Sequence, residues 1–461
     1  MKMRKKQQLE ITIDKLAFGG KGIGHSQGKI IFVDRVIPGD RVLVRIRRVK
    51  RNYLEARVLK LLEPSPLRKK APCEHFGSCG GCKWQNLDYA QQLSFKREQV
   101  VESLQHIGLL DSPKVAPVIP SPLQFQYRNK MEFSFTDSRW LSSEELSDPA
   151  NIKDFAIGLH VPGAFDRVMQ IDTCWLQDEV MNEILNFSQE YFRRSALPVF
   201  NLKTHQGLLR FLVLRKSFAY NTYMVNIVTF RAAEQELRQY TELLTQKIPG
   251  IVSVINTVNP RVAQIAFGED ERLLFGEKAL KEKLGHFGFE ISANSFFQTN
   301  PLQALNLFQT VQEYVEDGPK LIWDLYSGTG TIGLFLSEKA KRVVGFELVD
   351  RAVQDAYRNC RKNGVSNCEF VSGDIRTNLS EIREKPDVIV CDPPRSGMHP
   401  DVVKMILQTN TQTIVYVSCN PTTMARDLKI LVGEYRLVKV QPVDMFPHTY
   451  HIETVAKLER T

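Results

Sequence analysis

The stretch DLYSGTGTIG, residues 324–333, places three glycines between an apolar run and a helical pattern. Gly328, Gly330 and Gly333 fit G-x-G-x-x-G, the spacing that lets a strand turn tightly into a helix whose N-terminus faces a ligand. Glu347 closes the next apolar run, RVVGFE, where an acid can grip ribose hydroxyls. The texture then repeats. CEFVSG, DVIVCD and TIVYVSC alternate with helical segments, which predicts a parallel sheet in an open, Rossmann-like α/β domain. A dinucleotide and S-adenosylmethionine (SAM) both suit such a turn. Two features favour SAM. Asp374, in FVSGD, offers a polar group toward an adenine, and Asp392-Pro393-Pro394-Arg395 ends the fourth strand, where a methyl acceptor must approach.

Around this domain the chain has 461 residues, enough for two to four domains at roughly 100–200 residues each. Apolar residues make up 43% and charged residues 25%, so real cores can be buried. Lys and Arg exceed Asp and Glu by 61 to 52, a charge of +9 that favours polyanionic partners. The start, MKMRKKQQLEITIDKL, has no apolar core behind its basic residues, and no run approaches the roughly 18 apolar residues of a membrane span. A cytoplasmic protein with reduced thiols is expected, so its eight cysteines are core filler, metal ligands or catalysts.

Toward the N-terminus, LEITI (9–13) and RVLVRIR (41–47) alternate with period two. Val42, Val44 and Ile46 share one face, while Arg41, Arg45 and Arg47 form a cationic one. With the turns GGKGIG and IPGD this predicts a small β-barrel over 1–62. LLEPSPLRKKAP (61–72) reads as a linker and DSRWLSSEELSDPANIKD (137–154) as a surface insertion. The central region, 63–285, is expected to be α+β, and 286–461 the cofactor domain. YRNKMEF (127–133) sets Arg128 and Lys130 beside aromatics, a pattern suited to phosphates and stacked bases.

Cys419 stands where the fifth apolar run stops, so it faces the crevice at the carboxyl end of its strand. Asn420 is a good N-cap and Pro421 a favoured first helical residue, and the helix dipole is expected to stabilise a thiolate. Carbon 5 of a pyrimidine is a poor nucleophile. Addition of a thiolate to C6 turns the ring into an enolate that attacks a methyl group from C5, after which a base removes the C5 proton. The base ring must be flipped out against the donor.

The chain resembles the RNA uracil-5 methyltransferase family in SFFQTNP (295–301), DLYSGTG (324–330), CDPPR (391–395), SCNPTTMARD (418–427) and DMFPHTYHIE (444–453). The resemblance implies Cys419 as nucleophile and Glu453 as proton-abstracting base. It implies SAM contacts at Gln298, Tyr326, Glu347 and Asp392, with Thr331 and Asp374 lining the same pocket. Taken alone, Glu453 in HIETVAKL reads as an exposed carboxylate. Pro394 stands where RNA cytosine-5 methyltransferases carry a second cysteine, which favours uracil.

Cys73-x5-Cys79-x2-Cys82, flanked by glycines, reads as a metal or cluster set that needs a fourth ligand. Cys174 is the one other cysteine in the N-terminal half. The family resemblance implies that these four hold a [4Fe–4S] cluster, with zinc left open by the spacing. A radical-SAM role fits badly, because a fourth thiolate closes the cluster. The first 60 residues are similar to a TRAM domain, an RNA-binding barrel of modification enzymes, through GGKGIG, FVD and IPGDRV. The combined expectation is a three-domain, SAM-dependent enzyme making 5-methyluridine in RNA, with 23S ribosomal RNA as substrate and no obligate protein partner. Transfer RNA is the alternative substrate, and a cluster-bearing RNA-binding protein without activity is the alternative class.

Overall fold

The computed structural model describes residues 3–142, 144–164, 166–316, 318–382 and 384–461. Strands β1 (Gln8–Leu16), β2 (Gly22–Ser26), β3 (Lys29–Val33), β4 (Arg41–Val49) and β5 (Tyr53–Glu63) close a barrel in the order β1-β2-β3-β5-β4. The alternation in β4 does what period two requires: Val42, Val44 and Ile46 are buried with Ile31, Val33 and Leu54, and the arginines face outward. The stretch expected as a linker is anchored instead. Its first three residues complete β5, and buried Asp40 accepts from Ser65 N at 3.0 Å and Arg68 Nε at 2.9 Å.

Helix α1 (Tyr89–His106) follows, capped by Asp88, which accepts from Ala90 N. Past it, Val115 and Ile119 bridge in parallel to Val440 and Val443, so a piece of the central region joins the edge of the C-terminal sheet. The central sheet is built from β6 (Lys130–Thr136), β7 (Ala156–His160), β8 (Val168–Gln170), β9 (Leu209–Ser217), β10 (Thr222–Thr229), β11 (Ile251–Val258) and β12 (Asp270–Gly276). Their order is β12-β11-β10-β9-β6-β7-β8. Helices α2 (Glu179–Arg194) and α3 (Glu234–Lys247) bury Met181, Ile184, Leu185, Leu237 and Leu244 in one core with its strands, an α+β arrangement. The hairpin β13 (Ala279–Leu284) and β14 (Phe287–Ser292) then packs Leu280, Phe287 and Phe289 with Leu307 and Phe308 of α4 (Pro301–Tyr314).

The C-terminal sheet comprises β15 (Leu321–Leu325), β16 (Arg342–Glu347), β17 (Cys368–Ser372), β18 (Val388–Cys391), β19 (Thr413–Ser418), β20 (Tyr435–Val443) and β21 (Glu453–Arg460). The order is β17-β16-β15-β18-β19-β21-β20. The first five run parallel, and β21 lies antiparallel to β19 and β20. Every residue of β15, β18 and β19 is buried, as expected of strands covered on both faces. The covering helices are α5 (Thr331–Leu336), α6 (Asp350–Lys362), α7 (Ile375–Glu381), α8 (Pro400–Thr409) and α9 (Pro421–Leu431). The strand order reverses between β15 and β18, and the crevice at their carboxyl ends is where such sheets bind ligands. Among the described residues, no helix is long and apolar enough to cross a membrane.

Candidate active site

The glycine turn is held in a conformation that few side chains allow. Tyr326, Gly328 and Gly330 all have positive φ, at 64°, 54° and 75°, and Gly330 begins α5. A Cβ on Gly330 would stand 2.8 Å from the Cβ of Ala356 and from the Phe370 ring, so glycine is required there. Glu347 organises the turn from the tip of β16: one carboxylate oxygen accepts from Gly328 N and the other from Val349 N, each at 2.9 Å. Behind the turn, Asp324 is fully buried with neither oxygen hydrogen-bonded. Burial, then the charges of Asp392 and Glu347, push it up to about 8.

At the carboxyl end of the sheet lies a cavity of about 800 Å³. Its wall brings together Gln298, Tyr326, Thr331, Glu347, Asp374, Asp392, Cys419 and Glu453. These eight residues come from segments spread across more than 150 positions of the sequence. Two of them sit just past the strands that lead into the cavity. β17 ends at Ser372, so Asp374 is the N-cap of α7, where Arg376 binds its carboxylate and holds it down at about 2. Asp392 lies one residue beyond β18, half-buried, and burial raises it to about 6. The central region secures the wall at Gln298. Asn129 donates to the carbonyls of Gln298 and Thr299 at 3.0 and 2.9 Å, and buried Arg215 donates to the carbonyls of Ala293 and Ser295.

Cys419 is half-buried, one residue past β19, and Asn420 caps α9 by accepting from Thr422 N. The Asn420 side chain also donates to the Arg395 carbonyl at 3.1 Å, tying the D-P-P-R turn to the start of the helix. The thiol departs from expectation. Burial, followed by the carboxyls of Glu453 and Asp392, pushes it up to about 11, against an opposing pull from the Arg395 guanidinium. The helix terminus does not prevail, because the sulfur is taken out of water and two acids share its pocket. Glu453 is equally unlike the exposed carboxylate its strand pattern suggests: it is 7% exposed, and burial plus Asp392 raise its carboxyl well above the usual range.

Arg395 and His451 also face this cavity, with Arg395 Nη2 3.5 Å from His451 Nδ1. Burial and the surrounding cations hold His451 down at about 4, so the imidazole is neutral at physiological pH. Both lie inside motifs visible in the sequence, but only the folded cavity singles them out.

Cys73, Cys79, Cys82 and Cys174 line a second cavity of about 520 Å³. Segment 296–299 separates the two, with Phe296, Phe297 and Thr299 facing both. Among the described residues, no group of three or more His, Cys, Asp or Glu side chains is drawn close enough to grip a metal ion, so the thiols converge without closing. The donor set nevertheless fits a soft cationic group. Four thiols face one space with no disulfide among them, Gly81 N points at the Cys79 sulfur from 3.3 Å, and Gly80 and Gly81 leave room beside them.

The two surfaces expected to meet nucleic acid differ. Arg47 is exposed and Arg45 half-buried on the barrel, and neither has a carboxylate partner among the described residues, whereas Arg41 is paired with Glu63 at 2.9 Å. YRNKMEF does not offer stacking rings. Tyr127 and Phe133 are fully buried, Tyr127 donating its hydroxyl to the Pro447 carbonyl, and Lys130 is paired with Glu132 at 2.5 Å. Alternation in β6 sends Phe133 into the core.

Comparison with known proteins follows the same lines. The family described as tRNA (Uracil-5-)-methyltransferase matches residues 220–461, and the TRAM domain matches residues 3–59. A protein of Bacteroides thetaiotaomicron named as an uncharacterized RNA methyltransferase is 40% identical, over 96% of this chain and 100% of its own. A protein of Chlorobaculum tepidum with the same description is 42% identical, over 100% of this chain and 98% of its own. Among solved structures, the Pyrococcus abyssi tRNA (uracil-54, C5)-methyltransferase in complex with S-adenosyl-L-homocysteine is 33% identical. It superposes with a TM-score of 0.76, covering 98% of this chain and 100% of that one.

Proposed function

The chain belongs to the SAM-dependent RNA (uracil-5-)-methyltransferase family, and from that premise we propose that it methylates C5 of a uridine in 23S ribosomal RNA through a transient bond between Cys419 and C6. The observation that carries this reading is the convergence of Cys419, Glu453 and the donor-side acids on one cavity at the sheet's switch point. In the proposed sequence the Cys419 thiolate adds to C6 of the extruded ring, and the C5–C6 π electrons move toward O4 as an enolate. C5 then takes the methyl group, leaving a neutral thioether as co-product. Glu453 removes the proton from C5, the C5–C6 double bond returns, and the C6–S bond breaks to release the thiolate. SAM supplies the electrophilic methyl group, and Gln298, Tyr326, Thr331, Glu347, Asp374 and Asp392 are the residues assigned to hold it.

The four cysteines are assigned to a [4Fe–4S] cluster. The support is that all four face one cavity, Cys174 included, although it lies far from the other three in sequence. Such a cluster supplies a fixed, fully ligated cross-link between two segments, and no methyl-transfer step passes through it. Zinc satisfies the same thiols and remains the competing occupant.

A second reading, transfer RNA as substrate, has its own support. The Pyrococcus abyssi tRNA enzyme aligns with 98% of this chain, so barrel and cysteine segment do not by themselves mark a ribosomal RNA enzyme. The deciding experiment mixes purified protein and methyl-labelled SAM with 23S rRNA or bulk tRNA, each from cells lacking the protein. Label recovered as 5-methyluridine in 23S rRNA alone is the expected result; label in tRNA alone selects the second reading.

A further inference from the structure

We propose that the face of α1 bearing Tyr89, Gln92 and Lys96 is a positioning clamp for the segment that carries Glu453, and that it serves resolution of the covalent intermediate and not substrate binding. The inference rests on the reading of Glu453 as the base.

Residues 89, 92 and 96 are spaced i, i+3 and i+7, one face of a helix. A packed helix ordinarily buries an apolar stripe there. In α1 the first turns of that stripe are polar: Gln92 and Lys96 are fully buried, and apolar Val100 and Leu104 join the buried face only in its second half. Tyr89, Gln92 and Lys96 each bond the 444–448 segment, whereas Gln99 turns to the carbonyls of Leu16 and Ala17. Lys96 Nζ lies 2.5 Å from Asp444 Oδ1, with both side chains fully buried, and also donates to the Phe446 carbonyl at 3.1 Å. Tyr89 donates its hydroxyl to the other Asp444 oxygen at 2.9 Å. Gln92 Oε1 accepts from His448 N at 2.9 Å, while its amide group donates to the carbonyls of Trp84 and Leu87. His448 is held at φ 65°, a left-handed conformation a histidine keeps only when its surroundings impose it.

Positions 444, 446 and 448 are therefore fixed one after another just ahead of Glu453, and Phe446, His451 and Glu453 all face the catalytic cavity. A buried ion pair is a poor way to gain stability, since well-packed apolar residues of similar volume do as well or better. What it supplies is a defined geometry. A base that must reach one C5–H bond needs its backbone held in place, and misplacement by about 1 Å can cost on the order of 100-fold in rate.

The test uses two variants of the full-length holoenzyme. The double variant Lys96→Met/Asp444→Asn removes both charges, so neither is left buried alone. Gln92→Met removes the hold on His448 and leaves the ion pair intact. With a 23S rRNA transcript and SAM, the expected result is a kcat lowered about 10- to 100-fold and KM for both substrates within about threefold. The RNA–protein adduct is expected to accumulate on a denaturing gel, as for Glu453→Gln run in parallel. Unchanged kcat in a folded variant overturns the clamp, as does a lowered kcat without adduct. Loss of cooperative folding in both variants assigns the stripe to stability alone and overturns it too. If Glu453→Gln itself accumulates no adduct, the base reading falls and the clamp with it. If Glu453→Gln accumulates adduct and the α1 variants do not, only the clamp falls.

Discussion

Cys419 and Glu453 occupy the next position on each strand beyond Ser418 and Thr454, the last matched pair of the antiparallel β19–β21 ladder. Residues facing each other across such a ladder point to the same side, with Cβ atoms roughly 4.5–5.5 Å apart. Both side chains line one cavity, so under the proposed mechanism the thiol that adds to C6 and the carboxyl that serves C5 start from adjoining strand ends. Glu453 is buried, and burial followed by the Asp392 charge raises its carboxyl well above the usual range. Glu453→Gln replaces it with a neutral group of the same shape, and folding stability is expected to change by less than about 1 kcal/mol. Turnover is expected to fall about 100- to 10,000-fold, with covalent RNA–protein adduct accumulating. Cys419→Ala is expected to abolish both turnover and adduct. Denaturing gels, methyl-transfer rates and thermal melts on the two variants check this, and adduct formed by Cys419→Ala would remove the nucleophile assignment.

The raised thiol has a measurable consequence. With Cys419 pushed up to about 11, only on the order of one thiol in a thousand is ionised at pH 8. Iodoacetamide labelling of Cys419, read by peptide mass spectrometry, is expected to rise about tenfold per pH unit through the neutral and mildly alkaline range. Burial and two neighbouring acids cause the rise, so a positive charge in the cavity opposes it. SAM carries a sulfonium and S-adenosyl-L-homocysteine does not. SAM is therefore expected to move the labelling curve to lower pH, and the neutral product to leave its midpoint in place. Identical midpoints with the two ligands would show that donor charge does not activate the thiol.

The glycine-turn side of this cavity was legible because its elements obey local rules. Buried parallel strands are short apolar runs, the turn needs glycines, and Glu347 closes its strand. Cys419 was legible for the same reason, standing at the end of β19 before an Asn-Pro helix start. Glu453 read as exposed because alternation alone cannot reveal that β21 is paired on both sides, with β19 and β20, and begins at the wall of a cavity. The polar face of α1 was hidden for a related reason: Tyr89, Gln92 and Lys96 look like solvent-facing residues until Asp444 and His448, some 350 positions away, arrive beside them. YRNKMEF misled because Phe133 follows the inward phase of β6, fixed by pairing with β9, and Tyr127, ahead of that strand, is buried as well.

Two glycines of the turn separate backbone strain from crowding. Gly328 and Gly330 both have positive φ, but a Cβ on Gly328 meets nothing within 4 Å, while one on Gly330 strikes Ala356 and Phe370. Gly328→Ala is expected to cost about 1–2 kcal/mol, the left-handed penalty alone. Gly330→Ala adds overpacking of about 1–3 kcal/mol and pushes α6 away from the turn. Denaturant unfolding of both variants checks the difference, and equal losses would mean that the Phe370 ring moves aside without cost.

The cysteine cavity gives the last prediction. Burial pushes Cys79 up to about 11 and Cys82 up to about 12, and the Cys174 sulfur adds to both. Four such thiols ionise together only if a cationic group offsets their burial and mutual repulsion. Protein purified without oxygen is expected to hold about four irons and four acid-labile sulfides per chain. Cys174→Ser, remote in sequence from the other three, is expected to lose most of that iron and sulfide. A zinc-filled site instead carries about one zinc and no sulfide, and Cys174→Ser then lowers the zinc content. Iron retained at wild-type levels in Cys174→Ser would strike Cys174 from the ligand set, since a thiolate that contributes a bond to the metal cannot be exchanged for a hydroxyl without weakening the site.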